Sequence, residues 1–152
     1  MQYLSNLFTD QDFINAVPFQ TLVFPAKSVI LAEDDEGQDL FLIQKGEVEV
    51  SYNLHDDAYK EPAKLARLTA NDFFGELSLF DKEPRSAQFT AVTECNILKV
   101  SGPELIDYLD THPAKGYFVL RELLLHTITY FRRNNMRTKM ALQMYFHEHA
   151  DD

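Results

Sequence analysis

The sequence predicts a mainly β fold with flanking helices: an antiparallel, jelly-roll-like β-roll carrying an N-terminal helix and a long C-terminal helix. Three observations carry this expectation. Short segments with two-residue alternation recur after Pro18, clearest where Val48, Val50 and Tyr52 alternate with Glu47, Glu49 and Ser51. Turn-forming groups separate them at short intervals, which suits a compact roll or barrel. Beyond Gly116 there is no further glycine or proline, and Tyr117, Leu120, Leu124, Thr127 or Ile128, and Phe131 recur at three- and four-residue steps.

In chain order, Thr9 reads as a helix N-cap with Asp12 three residues on and Phe8 and Phe13 placed as a hydrophobic staple, so a short helix is expected over about Asp10 to Val17. Strands are expected at Ser28 to Leu31, Leu40 to Gln44, Glu47 to Tyr52, Lys64 to Leu68, Ser86 to Ala91 and Cys95 to Val100. Glu36-Gly37, Lys45-Gly46, the polar stretch Asn53 to Ala63 and Asn71-Asp72 supply the turns. Pro103 opens a short helix holding Leu105, Ile106, Tyr108 and Leu109, which His112-Pro113 ends or redirects. A long helix follows from Gly116, its tail frayed from Phe146 onward. Residues 1–113 therefore read as the roll with its short helices, and residues 114–152 as a lid or dimerisation helix.

The chain has 152 residues and a formal charge of −10. Residues 1–113 hold eight Lys+Arg against twenty Asp+Glu, a net −12, which argues against a nucleic-acid surface. So acidic a body repels anions at long range, and any phosphate it binds has to be held by a local device. No apolar run approaches membrane-spanning length and the N-terminus lacks the pattern of a signal peptide, so a cytoplasmic protein is expected. The single cysteine, Cys95, lies in an apolar run and reads as a small buried residue.

Such a device lies between residues 74 and 87. Gly75 lets the backbone turn tightly and approach a ligand. Glu76 is a carboxylate able to take a sugar hydroxyl. Leu77 to Phe80 can form one helical turn with free N–H groups, and Arg85, read as opening a strand, reaches back as a fork for a phosphate. The runs Phe74-Gly75-Glu76-Leu77-Ser78-Leu79 and Pro84-Arg85-Ser86-Ala87 resemble the phosphate-binding cassette of the cyclic nucleotide-binding domain family, shared by bacterial catabolite activator proteins, cAMP-dependent kinase regulatory subunits and cyclic nucleotide-gated channels. The likeness extends upstream through Val29-Ile30-Leu31, Asp35-Glu36-Gly37 and Leu42-Ile43 to Gly46-Glu47-Val48.

The resemblance implies Glu76 on the ribose 2′-hydroxyl and Arg85 on the cyclic phosphate, with Phe74, Gly75, Leu77, Ser78, Ser86 and Ala87 completing the site. Where many relatives have glycine, this chain has Asp34 and Asn71, two residue types that tolerate positive φ. The resemblance implies cAMP or cGMP as the ligand, with Ser86 compatible with either and the likeness to bacterial activators favouring cAMP. No other cofactor is expected. Thr127, Tyr130 and Arg133 are the candidates on the long helix for meeting the base.

Three other readings compete. A transcription regulator of the activator branch continues into a helix-turn-helix domain, whereas this sequence stops at Asp152 without a second basic domain, so no direct nucleic-acid contact is expected. A metalloenzyme on a similar roll needs converging ligands, but His55, His112 and His126 are scattered, and His147 and His149 turn to different helix faces; neither a metal nor catalysis is expected. A ligand-free interaction module would act through its helix alone. The expected partners are a cyclic nucleotide, a second copy of the chain along the long helix, and a protein of unknown identity, with no membrane contact.

Overall fold

The computed structural model describes residues 2–54 and 60–150. Its helices and strands run α1 (Tyr3–Leu7), α2 (Gln11–Ala16), β1 (Phe19–Phe24), β2 (Val29–Leu31), β3 (Leu40–Lys45), β4 (Val48–Tyr52), β5 (Ala63–Leu68), β6 (Phe73–Phe74), α3 (Glu76–Asp81), β7 (Gln88–Ala91), β8 (Cys95–Val100), α4 (Gly102–Thr111) and α5 (Pro113–Glu148). The strands form two antiparallel four-stranded sheets, ordered β1-β8-β3-β6 and β2-β7-β4-β5.

The two-residue period explains how one strand serves two cores. Successive side chains of a strand point to opposite faces. In β3, Phe41 and Ile43 join Val48, Val50, Phe74, Ala87 and Ile97 between the sheets. Leu40 and Leu42 point the other way, to a second core with Phe73, Leu98, Val100 and the helix residues Leu4, Leu7, Phe13, Leu105, Leu109, Val119 and Leu123. Strand β3 therefore reads as a continuous apolar run because both of its faces are covered. Cys95 is fully buried, its Sγ 3.2 Å from the carbonyl of Glu47.

Several boundaries differ from expectation. Asp10, not Thr9, caps α2, its carboxylate accepting from the N–H of Asp12 at 3.0 Å. Thr9 instead donates its hydroxyl to the Asn6 carbonyl behind α1. The staple pair does meet, the Phe8 and Phe13 rings edge to face at 5.3 Å. Asp34 and Asn71 adopt φ of 68° and 72°, as expected of the residues standing in for glycine. Gly46, at φ 100°, closes a turn so tight that an added Cβ would lie 2.5 Å from the Glu94 carbonyl oxygen. The long helix starts at Pro113, which suits a first-turn position, and it continues through Phe146 to Glu148 rather than fraying there. His55 and part of the expected turn stretch Asn53 to Ala63 lie outside the described residues.

Helix α1, strand β1 and strand β6 were not anticipated. Helix α1 has five residues and no capping side chain of its own. Its cap comes from α5: the Glu122 carboxylate accepts from the backbone N–H groups of Gln2, Tyr3 and Leu4 at 2.6, 2.9 and 2.9 Å. The Tyr3 ring stacks on Phe118 of α5 at 4.7 Å, and the Lys115 ammonium joins the Asp10 carboxylate to the Tyr108 hydroxyl. The N-terminal helices thus ride on the first turns of α5.

Burial works to raise the Glu122 pKa, but the three N–H donors outweigh it and hold the group below the ordinary carboxylate value. A pKa depressed by folding adds stability that is present above the unfolded carboxylate value, about 4.3, and lost as pH falls through the folded one. Glu122→Gln is expected to cost about 1–2 kcal/mol at neutral pH, since charged hydrogen bonds become neutral ones. Urea unfolding of both proteins checks this, and the gap between them should narrow as the pH falls below 4.

Candidate functional site

The site is built on β6 and the tight turn that follows it. Phe74 pairs with Phe41 of β3 across the ladder, and its ring lies between those of Phe41 at 5.1 Å and Phe89 at 4.5 Å, both nearly parallel to it. This stack fixes the floor from which the chain turns. Gly75 then takes φ 87° and opens α3. A side chain there is excluded twice over, by backbone strain and by the Asp39 carbonyl and Arg85 guanidinium, each within 3 Å of the Cβ position.

Arg85 is 3% exposed. It lies in the segment between α3 and β7, three residues before the strand, rather than opening the strand itself. Its backbone is locked to the turn before β3, with its N–H on the Asp35 carbonyl and its carbonyl accepting from Asp34. Its Nη1 donates to the Gly75 carbonyl and its Nη2 to the Asp39 carbonyl, both at 3.1 Å. Its Nε is buried without a partner. Burial pulls its pKa down, and the nearby carboxylates of Asp39, Asp35 and Glu76 act against that pull. A guanidinium stays charged regardless.

Glu76 begins α3, half-buried. Loss of solvation raises its pKa, opposed by a backbone hydrogen bond at its own residue and by the field of Arg85. Ser78 is buried, whereas Leu77 and Ser86 are exposed and Ala87 is buried.

All eight residues named from the sequence, Phe74, Gly75, Glu76, Leu77, Ser78, Arg85, Ser86 and Ala87, line one cavity. Val50, Leu68, Phe73 and Phe89 contribute its apolar wall, and His126 and Tyr130 of α5 close it. Its free space is about 50 Å³. Beside it, between β5 and α5, an open groove of about 630 Å³ shares Leu68, His126 and Tyr130 with the cavity and continues to Arg133, Asn134 and Arg137.

The three helix candidates therefore separate. Tyr130 reaches the cavity, and Arg133 lines only the outer groove. Thr127 lines neither and donates its hydroxyl to the Leu123 carbonyl. The residue missed was His126. Counting one turn back from Tyr130 finds it, since Glu122, His126 and Tyr130 repeat every four residues along one helix face.

Among the described residues, no group of three or more His, Cys, Asp or Glu side chains converges as a metal site, and no helix is long and apolar enough to cross a membrane.

The sequence matches the family model for the cyclic nucleotide-binding domain over residues 21–112. A cAMP-dependent protein kinase regulatory subunit from Emericella nidulans is 36% identical over 80 residues, 53% of this chain and 18% of that protein. The CRP-like cAMP-activated global transcriptional regulator of Mycobacterium tuberculosis is 29% identical over 104 residues, 68% of this chain and 45% of the regulator. The chain thus spans less than half the length of either relative. Among solved structures, a cyclic nucleotide-binding domain from Methylobacillus flagellatus superposes with a TM-score of 0.70 at 31% identity, covering 78% of this chain and 65% of the other. With a family match across most of the roll and the glycine, carboxylate and buried arginine gathered on one cavity, the chain belongs to the cyclic nucleotide-binding domain family.

Proposed function

We propose that this chain is a cyclic nucleotide sensor, with cAMP as its ligand, in which binding repositions α5. The observation that carries the reading is the buried Arg85 guanidinium, fixed on the Gly75 and Asp39 carbonyls beside Glu76 on the cavity wall. A guanidinium has five N–H donors, and the two carbonyls engage only two of them. The rest suit a cyclic phosphate, and its single negative charge balances a cation already held out of water. Glu76 accepts the ribose 2′-hydroxyl. The relatives described as cAMP-dependent or cAMP-activated support adenine over guanine.

Sites for small ligands have about 300–1,000 Å³, several times the room present here. The base therefore needs the wall formed by His126 and Tyr130 to move, and nucleotide is admitted as α5 lifts. A ligand shifts such an equilibrium only by its differential affinity for the two positions. In this reading the roll of residues 1–113 senses and the helix of residues 114–152 reports, by changing the surface it offers to a partner protein. No catalytic step is assigned, in keeping with the regulatory relatives.

The outward face of α5 supports pairing with a second copy. Tyr117, Leu120, Leu124, Ile128 and Phe131 lie along it, from 39% to 63% exposed, an unusual apolar stripe to leave in water. We infer a parallel two-helix seam from Gly116 to about Ala141. Sedimentation at tens of micromolar should give a dimer for the native chain and a monomer for the Leu124→Glu, Phe131→Glu double variant. A native monomer at that concentration excludes a contact of about −8 kcal/mol.

Calorimetric titration with cAMP and cGMP tests the ligand. Arg85→Ala is expected to weaken cAMP binding by about 2–5 kcal/mol. Arg85→Lys, which keeps the charge and loses the fork, should also bind more weakly. Unchanged affinity in both variants removes Arg85 from the site, and no heat from either nucleotide with the native chain favours a ligand-free module.

A further inference from the structure

His126 is a side chain of the α5 wall whose acid–base chemistry the nucleotide reading leaves unused. Its imidazole lies against the Phe73 ring, centroids 4.1 Å apart, and its side chain is 20% exposed. Nδ1 is buried without a hydrogen-bond partner, and Nε2 stands 3.9 Å from Asp72 Oδ1, beyond hydrogen-bonding range. The ring is thus packed against an apolar face, and neither the partnerless Nδ1 nor the 3.9 Å approach of Nε2 to Asp72 supplies a hydrogen bond that would favour the second proton of the imidazolium. It sits where α5 meets β6, directly before Gly75.

We propose that His126 is a proton-sensitive latch: the neutral imidazole holds α5 down on β6, and proton uptake releases the helix from the roll.

The surrounding charges decide the sign. From the turn before β6, the Asp72 carboxylate favours the cation, but its Oδ2 is engaged with the N–H of Thr69. From β5, Arg67 is paired with Glu47 and Glu49. On α5 itself, Glu122 is engaged by the N-terminus of α1, while Arg133 opposes a second positive charge. Across the cavity, Glu76 and Arg85 face one another with opposite charges. Burial is the largest influence on the ring and lowers its pKa, with Asp72 acting against it and Arg133 with it.

A histidine whose docked pKa lies below that of the released helix opposes docking only when protons are available. Above about pH 6.5 both positions hold neutral imidazole, and the latch is closed at no cost. As pH falls below that value the released helix takes up the proton first, and the released-to-docked ratio rises by up to about tenfold per pH unit. Since nucleotide entry requires the wall to lift, acidification also tightens nucleotide binding, a consequence that rests on the cAMP reading above.

The test uses the full chain without nucleotide. Spin labels are placed on Lys27→Cys, in the turn between β1 and β2, and Met140→Cys, on the exposed face of α5; Cys95 is buried and stays unlabelled. Labelled chain is diluted in excess unlabelled chain so that only distances within one molecule are read. Between pH 7.5 and 5.5 the native background should gain a second, displaced distance population, and the same pair in His126→Gln should give a distribution that does not change with pH. An invariant native distribution, tighter docking in acid, or an equal shift in His126→Gln overturns the latch. Titration with cAMP at the same pH values separates the two readings. Tightening in acid that His126→Gln abolishes supports both, whereas a pH-dependent distance with no heat from cAMP upholds the latch and removes the nucleotide reading.

Discussion

Arg85 holds the Gly75 carbonyl with one nitrogen and the Asp39 carbonyl with another, and through those two bonds the turn after β6 is fastened to the segment before β3. A buried cation is costly to leave unpaired, by several kcal/mol. The fold meets that cost with local carbonyl dipoles and the field of three carboxylates rather than with one direct ion pair. The arrangement sets other requirements in turn. Gly75 has to lack a side chain so that the guanidinium can pass, and the Gly37 Cβ position is itself 3.1 Å from Nη2. The parallel rings of Phe41, Phe74 and Phe89 have to keep the floor flat, because the arginine lies 5.7 Å from the Phe41 centroid. An acidic body repels phosphate from a distance, so any phosphate bound here would have to be held at short range.

The cassette was legible because its chemistry is contiguous. Glycine, carboxylate, one helical turn and arginine fall within fourteen residues, and each residue type has a specific reason to be there. Alternation exposed most strands for a similar reason, since period two directly reports a half-buried ladder. What escaped was determined at a distance. Helix α1 has nothing in its own five residues to start it; its cap is a glutamate about 120 positions along the chain. Strand β6 has two residues and exists through its ladder to β3. Strand β1 leaves Val23 in solvent, so its apolar pattern does not mark an inside and an outside cleanly.

His126 shows a different kind of illegibility. A lone histidine among leucines carries no signal by type, and it was weighed only as a metal ligand. Its place follows from packing: α5 presents Glu122, His126 and Tyr130 on one face, and these three meet α1, β6 and the cassette in succession. One helix face therefore touches the N-terminus, the strand before the cassette and the cavity. All three contacts are thus carried by a single continuous helix.

The close approach of α5 to α4 adds a matter of scale. Gly116 brings the helix backbone so near the end of α4 that a Cβ would lie 2.7 Å from the Leu109 carbonyl oxygen, which makes this crossing a natural fulcrum. Helix α5 runs on to Glu148, roughly 48 Å farther at the α-helical rise. A tilt of about 5° at the crossing carries the far end some 4 Å, roughly the width of a methyl group, by the geometry of a rod of that length. In a helix of this length, a small displacement at His126 and Tyr130 would be magnified by the time it reached the exposed Met140, Met144 and Phe146.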